Sequence, residues 1–395
     1  MTNGHAAAPL DGIRVLDLGR YQAGPRCALM LSRLGADVIK IEPPDGEESR
    51  GNGPHVRGQS AYWVQYNSGK RSLGLNLYSE TGKEILRDLI KVSDIFIQNF
   101  RPGAIAEMGF SYDVLKALNP KIVMVNISAY GQFGPYRDRV GFDMLGQAMS
   151  GLMMSTGEEG MPPIRTTFPL IDRITSLHAT VGALAALWDA RISGEGQSLD
   201  VALADTGYTT MEIPISYYKG TGNVTPRTGN GSNFINTYEC SDGWIYLICI
   251  GPQMWQRVAK VIRHDDWLAD PRFADRAERD QLREMIEAEL GQWFGQRTMQ
   301  DAVDTMSPAG IPIQPVNTVD LAAADPHVWE RDVMMEVTDP IAGTIHVTGN
   351  IMHYSKSELK IGPAPLPGQH TEEVLSEILD MSQDRLTQLK SDQVI

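Results

Sequence analysis

Residues 9–42, PLDGIRVLDLGRYQAGPRCALMLSRLGADVIKIE, contain the pattern that decides the fold. Residues 13–18 (IRVLDL) are a short apolar run rich in strand-forming residues, and an amphipathic segment follows over residues 27–34. Gly35 stands where that helix would end, and residues 37–41 (DVIKI) form the next apolar run. This order predicts a strand, a helix and a second strand, the unit from which parallel sheets are built.

The same alternation continues along the chain and predicts a doubly wound α/β domain of the Rossmann type. The predicted elements are strands at 72–77, 94–98, 122–127 and 198–203, and helices at 79–91, 111–118, 172–192 and 204–218.

A turn-rich stretch at 219–233 is a candidate domain boundary, because a new pattern of one strand and several helices begins after it. The predicted organisation is therefore a large Rossmann-like domain over residues 1–218 and a smaller α+β domain over 219–325. Residues 326–395 are expected to link the two and to return to the large domain through a helix at 371–380.

Composition narrows the class of protein. The 395 residues carry a net charge of −14, which disfavours nucleic acid as the main partner. No run of about 20 apolar residues predicts a membrane helix, and the first residues do not resemble a signal peptide. Cys27, Cys240 and Cys249 lack CxxC spacing, which favours reduced thiols. We therefore expect a cytoplasmic protein with no membrane partner and no metal.

Asp172 is the first candidate for chemistry, because it follows an apolar stretch and precedes the long helix. One interpretation is an N-cap residue, although Thr175 stands where a capping box would have Glu or Gln. The other interpretation is a catalytic carboxylate. An ordinary aspartate has a pKa of about 3.9 and is ionised at neutral pH without help.

Three blocks, residues 9–42, 92–110 and 172–203, resemble in order and spacing the family III (CaiB/BaiF-type) coenzyme A transferases. These include the formyl-CoA and carnitine CoA transferases. The resemblance spans nearly the whole chain. It implies that Asp172 forms an aspartyl-CoA thioester and that coenzyme A is substrate and product, with no nicotinamide. It also implies an interlocked homodimer in which long linkers wrap the partner.

The resemblance also assigns coenzyme A contacts. The first of these lie in the turn after the first strand, and others follow a later strand end, where ligands of α/β sheets bind. Charges such as Lys70 and Arg71 are also common on solvated surfaces. The assigned residues are Gln22, Ala23, Gly24, Lys70, Arg71, Leu75, Asn76, Asn99, Phe100 and Arg101.

A glycine-containing segment is the candidate for stabilising oxyanions through backbone N–H groups. It comprises Gly229, Asn230 and Gly231. The same residues also fit a simple turn between domains.

Three other functions compete. An α-methylacyl-CoA racemase of the same fold would need a His in a G-H-D string, but this chain has Gly141-Phe142-Asp143, and phenylalanine cannot accept a proton. A non-catalytic subunit of a heteromeric transferase would be expected to lack Asp172. A nicotinamide-dependent dehydrogenase is disfavoured because no G-x-G-x-x-G follows the first strand.

Overall fold

The computed structural model describes residues 7–231, 234–359 and 361–395. It divides into two compact units. The first comprises Met1–Met153, Arg165–Gly222 and His327–Ile395, and the second comprises Met154–Ile164 and Asn223–Pro326. This division into compact units does not test the domain boundaries predicted from the sequence, and those boundaries stay a prediction.

A six-stranded parallel sheet forms the centre of the first unit. The strands up to residue 222 are β1 (Arg14–Asp17), β2 (Asp37–Glu42), β3 (His55–Val56), β4 (Gln59–Ser60), β5 (Arg71–Gly74), β6 (Ile95–Gln98), β7 (Val123–Ser128) and β8 (Ser198–Ala202). The sheet order is β5-β2-β1-β6-β7-β8, while β3 and β4 pair separately. Counted along the chain, the six sheet strands have the order 3-2-1-4-5-6, which is the Rossmann order. The predicted α/β fold with a parallel sheet is confirmed.

Helices cover both faces of this sheet. They are α1 (Ala23–Arg33), α2 (Ala61–Asn67), α3 (Glu80–Lys91), α4 (Ala104–Glu107), α5 (Tyr112–Leu118), α6 (Asp143–Ser150), α7 (Leu152–Ser155), α8 (Leu170–Ser193), α9 (Leu203–Thr210) and α10 (Glu212–Thr221). Neighbouring strand residues enter different cores: Val15 packs in the core that contains α1 and α8, and Leu16 packs in the core that contains α3 and α5. The strands are apolar on both sides because both faces are covered.

The turn from β1 into α1 needs residues without bulk. A Cβ on Gly24 would lie 3.0 Å from Gly19 Cα and 3.2 Å from Asn99 Cγ. At the other end of α1, Gly35 has φ +98°, a left-handed value that glycine adopts at little cost. The glycine at each end of the helix therefore lets the first crossover close tightly.

The second unit contains a three-stranded antiparallel sheet of order β11-β10-β9. Its strands are β9 (Ile235–Cys240), β10 (Gly243–Ile248) and β11 (Ile313–Pro315). Its helices are α11 (Gly251–Val261), α12 (Asp265–Ala269), α13 (Pro271–Ala274), α14 (Arg276–Gln281), α15 (Arg283–Gly295), α16 (Met299–Met306) and α17 (Val319–Ala324). An aromatic-rich core that includes Trp255, Trp267 and Phe294 lies between sheet and helices.

The chain then continues through α18 (Pro326–Glu330), the hairpin β12 (Met334–Asp339) and β13 (Gly343–Thr348), α19 (Thr371–Leu379) and α20 (Gln383–Ser391). Val374 of α19 and Leu389 of α20 are buried in the same core as α3 and α5. The C-terminal helices therefore close one face of the large sheet.

Among the described residues, α8 is the one helix that is long and apolar enough to span a membrane. The same composition suits a core helix, and α8 packs against α1 and β7. Its buried side is built from small residues such as Ala179, Ala183 and Ala186, which allow close approach.

A buried charge network ties three neighbouring strands together. Lys70 Nζ lies 2.7 Å from Asp17 Oδ2, and both side chains are fully buried. Lys40 Nζ lies 2.7 Å from Glu47 Oε2 and also donates to the carbonyl of Gly19. Burial alone would raise the pKa of Asp17, but the ammonium groups of Lys70 and Lys40 hold that pKa below its ordinary value. Asp17 therefore stays ionised, and the network fixes the start of the loop after β1.

Replacing Lys70 with alanine is expected to lower the free energy of unfolding by about 3–5 kcal/mol, because the Asp17 charge would stay buried without its main partner. Lys116→Ala serves as the control, since Lys116 and Glu195 form an exposed pair at 3.4 Å that is worth less than about 1 kcal/mol. Urea unfolding of both variants is the measurement. Equal losses would contradict the role assigned to the network.

Candidate active site

The carboxyl ends of β1 and β6 meet where the order of the parallel sheet reverses. Open α/β sheets bind ligands at such a switch point. Here Asn99 locks the loop after β1, because the Arg20 N–H donates to Asn99 Oδ1 (2.7 Å) and Asn99 Nδ2 donates to the Arg20 carbonyl (2.8 Å). The two strand-end loops are thus held as one rigid edge.

A cavity of about 410 Å³ opens at this edge. Its lining brings together six of the fourteen site residues predicted from the sequence, together with Arg20 and Phe142. The predicted residues that line it are Gln22, Ala23, Asn99, Phe100, Arg101 and Asp172.

Asp172 is the third residue of α8, and Pro169 occupies the N-cap position. The capping interpretation of Asp172 is therefore wrong. Gln22 holds the same helix end from the opposite loop, because its Nε2 donates to the Pro169 carbonyl at 3.4 Å. The turn after β1 and the start of α8 are consequently joined directly beside the carboxylate.

A second carboxylate fixes the backbone at Asp172. The Asp172 N–H donates to Oδ2 of the buried Asp143 at 2.9 Å. Gln147 Nε2 donates to Asp143 Oδ1 at 2.5 Å and to Thr166 Oγ1 at 3.0 Å. This chain of hydrogen bonds places Asp143 close to Asp172 and keeps it there.

Burial, with the neighbouring charge of Asp143, raises the pKa of Asp172 to about 7. The expectation of an ordinary aspartate pKa is therefore wrong. Burial of the phenol, with the nearby Tyr66 and Asp172, also raises the pKa of Tyr62, which keeps that hydroxyl protonated. The carboxylate is thus poorly solvated when ionised, which is a property of reactive groups rather than of surface charges.

A second cavity, of about 460 Å³, shares Arg20 and Phe100 with the first. The predicted residues Leu75 and Asn76 line it, as do Leu18, Leu77 and Tyr78. Its apolar residues can pack against a flat ring, and its charged lining residues are Arg20, Lys83, Glu42, Glu47 and Glu107.

A third cavity, of about 220 Å³, shares Asn99, Phe100 and Arg101 with the Asp172 cavity and adds Arg137 and Arg139. Three guanidinium groups therefore line one small space on a protein whose net charge is −14. Arg101 also pairs with Glu107 at 2.6 Å, and Arg139 lies 3.8 Å from the ring centre of Tyr136. Such a cluster can bind an anion locally despite the acidic surface.

Three of the predicted contacts line none of these three cavities, and one of them is Gly24, in the first turn of α1. Lys70 is buried on Asp17, as described above. Arg71 donates two hydrogen bonds to Asp37, at 2.9 and 2.6 Å, and pairs with Glu373 and Glu377. Both Lys70 and Arg71 are thus paired with carboxylates of the protein itself, and their role in binding coenzyme A stays a prediction.

The glycine segment belongs to the second unit. A Cβ on Gly231 would lie 1.3 Å from the Ile235 carbonyl oxygen, so only glycine fits there. Tyr246 Oη donates to the Asn230 carbonyl at 2.9 Å, and the Gly229 N–H donates to the Gly157 carbonyl. The segment is a turn held by hydrogen bonds within the second unit, and its role in stabilising oxyanions stays a prediction.

Sequence reasoning missed several residues around Asp172. Tyr62 gave no signal, because a tyrosine in the same short stretch as Trp63 and Tyr66 resembles a core residue. Asp143 was noticed only as part of the Gly141-Phe142-Asp143 string, whose spacing of 29 residues from Asp172 could have indicated a partner. Within the described residues, no group of three or more His, Cys, Asp or Glu side chains is placed to hold a metal ion.

Comparison with known proteins supplies the family. The model of CoA-transferase family III matches residues 10–371. The chain is 32% identical over 402 residues to a succinyl-CoA–D-citramalate CoA-transferase of Chloroflexus aurantiacus, with full coverage of both chains. It is 33% identical over 413 residues to a formyl-CoA:oxalate CoA-transferase of Streptomyces coelicolor, covering 98% of this chain and 100% of the relative.

A solved structure agrees with the fold. The crystal structure of a CAIB/BAIF family protein from Brucella suis superposes with a TM-score of 0.85 at 30% sequence identity. The match covers 94% of this chain and 100% of the other.

Asp172→Asn is expected to raise the free energy of unfolding at pH 8 by roughly 2 kcal/mol, because the variant carries no poorly solvated charge. This is about half of the free energy that corresponds to the full pKa shift, since water screens the partly exposed carboxylate. Between about pH 4 and 7 the folded chain keeps a proton that the unfolded chain has lost, so native stability falls as pH rises. Near pH 4 the gain should therefore almost vanish.

Urea unfolding of the native chain and the variant at both pH values measures this difference. Asp189→Asn, at an exposed position of the same helix, is the matched control. A gain of equal size at both pH values, or none at pH 8, would show that the Asp172 pKa is not raised.

Proposed function

Because this chain belongs to CoA-transferase family III, we propose that it moves coenzyme A from an acyl-CoA to a free carboxylic acid through a covalent intermediate on Asp172. The observation that carries this proposal is the poorly solvated Asp172 carboxylate at the wall of the strand-end cavity. A desolvated carboxylate is a better nucleophile than one in water, and a positioned one needs no metal to attack a thioester.

The reaction then takes four balanced steps. The Asp172 carboxylate attacks the acyl-CoA carbonyl, the C–S bond breaks, and a mixed anhydride and the CoA thiolate form. The thiolate attacks the aspartyl carbonyl, giving the aspartyl-CoA thioester and releasing the donor acid. The acceptor carboxylate attacks this thioester, giving a new anhydride and the thiolate again. Finally the thiolate attacks the acyl carbon of that anhydride, which yields the new acyl-CoA and restores Asp172.

Neighbouring groups suit these steps. The protonated Tyr62 hydroxyl is a hydrogen-bond donor close to Asp172. Asp143 fixes the Asp172 backbone and so orients the nucleophile.

The three strand-end cavities suit the parts of coenzyme A. We propose that the adenine lies in the apolar cavity lined by Leu75, Asn76 and Phe100. The phosphates would then meet Arg20 and the guanidinium cluster of Arg101, Arg137 and Arg139. The shared Phe100 and Arg20 would lie where nucleotide and pantetheine join, with the thiol end at Asp172.

The relatives suggest the substrate class. Their names pair succinyl-CoA with D-citramalate and formyl-CoA with oxalate, so three of the four parent acids are dicarboxylic. We propose that this chain acts on short dicarboxylic acids. The buried, unpaired Cys27, Cys240 and Cys249 fit a reducing cytoplasm.

Intact-protein mass after mixing with succinyl-CoA tests the mechanism. The native chain should gain the mass of coenzyme A less water, and hydroxylamine should remove the adduct. Asp172→Ala should show no adduct and lose at least about 10³-fold in transfer rate. The control Asp189→Ala, on the same helix, should keep both.

The other outcomes are equally informative. An adduct of equal size in Asp172→Ala would contradict Asp172 as the nucleophile. Exchange of the α-proton of an acyl-CoA without an adduct would support a racemase. Tight acyl-CoA binding with neither reaction would support a non-catalytic subunit.

An exposed apolar stripe on α8 supports the proposed homodimer. Leu177, Val181, Trp188 and Ile192 recur at helical spacing, and Trp188 is 69% exposed. Ile213 of α10 is likewise exposed. Such contiguous apolar surface marks an interface more often than solvent contact. We propose that a second copy covers it in an interlocked arrangement.

Light scattering should give twice the chain mass of 43.5 kDa for the native protein at every dilution, because interlocked chains cannot separate without unfolding. Trp188→Glu should give monomers or poorly folded protein, since it places a charge within the apolar stripe. Arg191→Glu, exposed on the same helix, changes charge without removing apolar area and should stay dimeric. A native monomer would overturn the proposal.

A further inference from the structure

A cavity of about 430 Å³ lies wholly within the second unit, where β10 ends and α11 begins. Its walls include Phe234, Ile235 and Ile250, and its inner end is formed by Trp255 and Arg279. A smaller cavity of about 250 Å³ shares Trp255 and Arg279. These two side chains therefore separate two open spaces that the proposed transfer chemistry does not use.

Trp255 is held rigidly but lacks a hydrogen bond. Its ring stacks on Trp267 (centroids 5.4 Å apart, planes 9° apart) and on Phe273 (6.0 Å, 6°). The residue is only 3% exposed, and its indole N–H has no hydrogen-bond partner in the described structure. Leaving a buried donor unpaired is unfavourable, so an acceptor in the cavity that bonds this N–H would gain binding free energy.

Arg279 supplies a fixed positive charge beside this donor. It is 5% exposed, and its Nη1 donates to the carbonyls of Phe273 (2.6 Å) and Ala274 (2.9 Å). Its guanidinium carbon lies 5.5 Å from the Trp255 ring centre. Asp280, the one acidic side chain on the cavity wall, pairs with Arg283 at 3.3 Å.

We propose that this cavity binds the carboxylate of a short aliphatic acid, with its oxygens accepting from the Trp255 indole and the Arg279 guanidinium and its alkyl chain against Phe234, Ile235 and Ile250. A planar guanidinium with a neighbouring N–H matches two carboxylate oxygens, and the other walls exclude water. Cys249 also lines the cavity, but burial raises the pKa of its thiol to about 12, so the site binds without reacting.

Selective ¹⁵N labelling of tryptophan in the full-length protein tests the site, because the chain has seven tryptophan indoles. Trp255→Phe keeps the ring stack and assigns the Trp255 signal by its loss. Titration with hexanoate should move that signal downfield in a saturable manner, while hexylamine, with the same chain and opposite charge, should leave it in place.

Two variants separate this site from other binding. Ile250→Trp fills the cavity from a position that is 62% exposed, leaves the Trp255 stack untouched and should abolish the shift. Asp172→Ala should leave the shift unchanged, so the failure of the transfer mechanism and the failure of this site are distinguishable. No shift up to the solubility of hexanoate would overturn the proposal. An equal shift with hexylamine, or a shift that survives in Ile250→Trp or disappears in Asp172→Ala, would also overturn it.

Discussion

The buried ion network of Asp17, Lys40, Glu47 and Lys70 is the constraint on which the first unit depends. Asp17 lies on β1, Lys40 on β2, and Lys70 directly before β5, so one set of charges joins three adjacent strands. Removing acidic and basic side chains from water is costly unless each finds a partner. Here the partners include the backbone of Gly19 and Pro25, so the loop between β1 and α1 has little freedom to take another course.

That fixed loop sets the geometry of the site. It presents Arg20 to Asn99 at the end of β6 and Gln22 to the start of α8, so three segments distant in sequence converge at one edge of the sheet. Asp143 completes the arrangement by bonding the Asp172 backbone. A partly desolvated carboxylate at Asp172 lowers the stability of the folded state, and the rigid scaffold around it supplies the compensating stability.

Much of this could be predicted from the sequence. Apolar runs at 13–18 and 122–127 and the glycine at Gly35 are local signals, and the sheet strands and the end of α1 follow them. The predicted helix at 204–218 is two helices in the structure, and β9 and α20 gave no clear pattern. The same limit applies to the site. Lys70 and Arg71 resembled ligand contacts because the sequence does not show Asp17 or Asp37 beside them, and the Asp172 pKa depends on burial and on a residue 29 positions away.

The raised pKa of Asp172 has a consequence for proton balance. Near neutral pH, a carboxyl with a pKa of about 7 is protonated in a sizeable fraction of molecules. An anion arriving in the neighbouring cavities would raise that pKa further, so binding would draw protons from the solution. The heat of ligand binding would therefore include the ionisation heat of the buffer. Proton uptake by the protein would therefore accompany ligand binding, and the amount of uptake would report how much of the site is occupied.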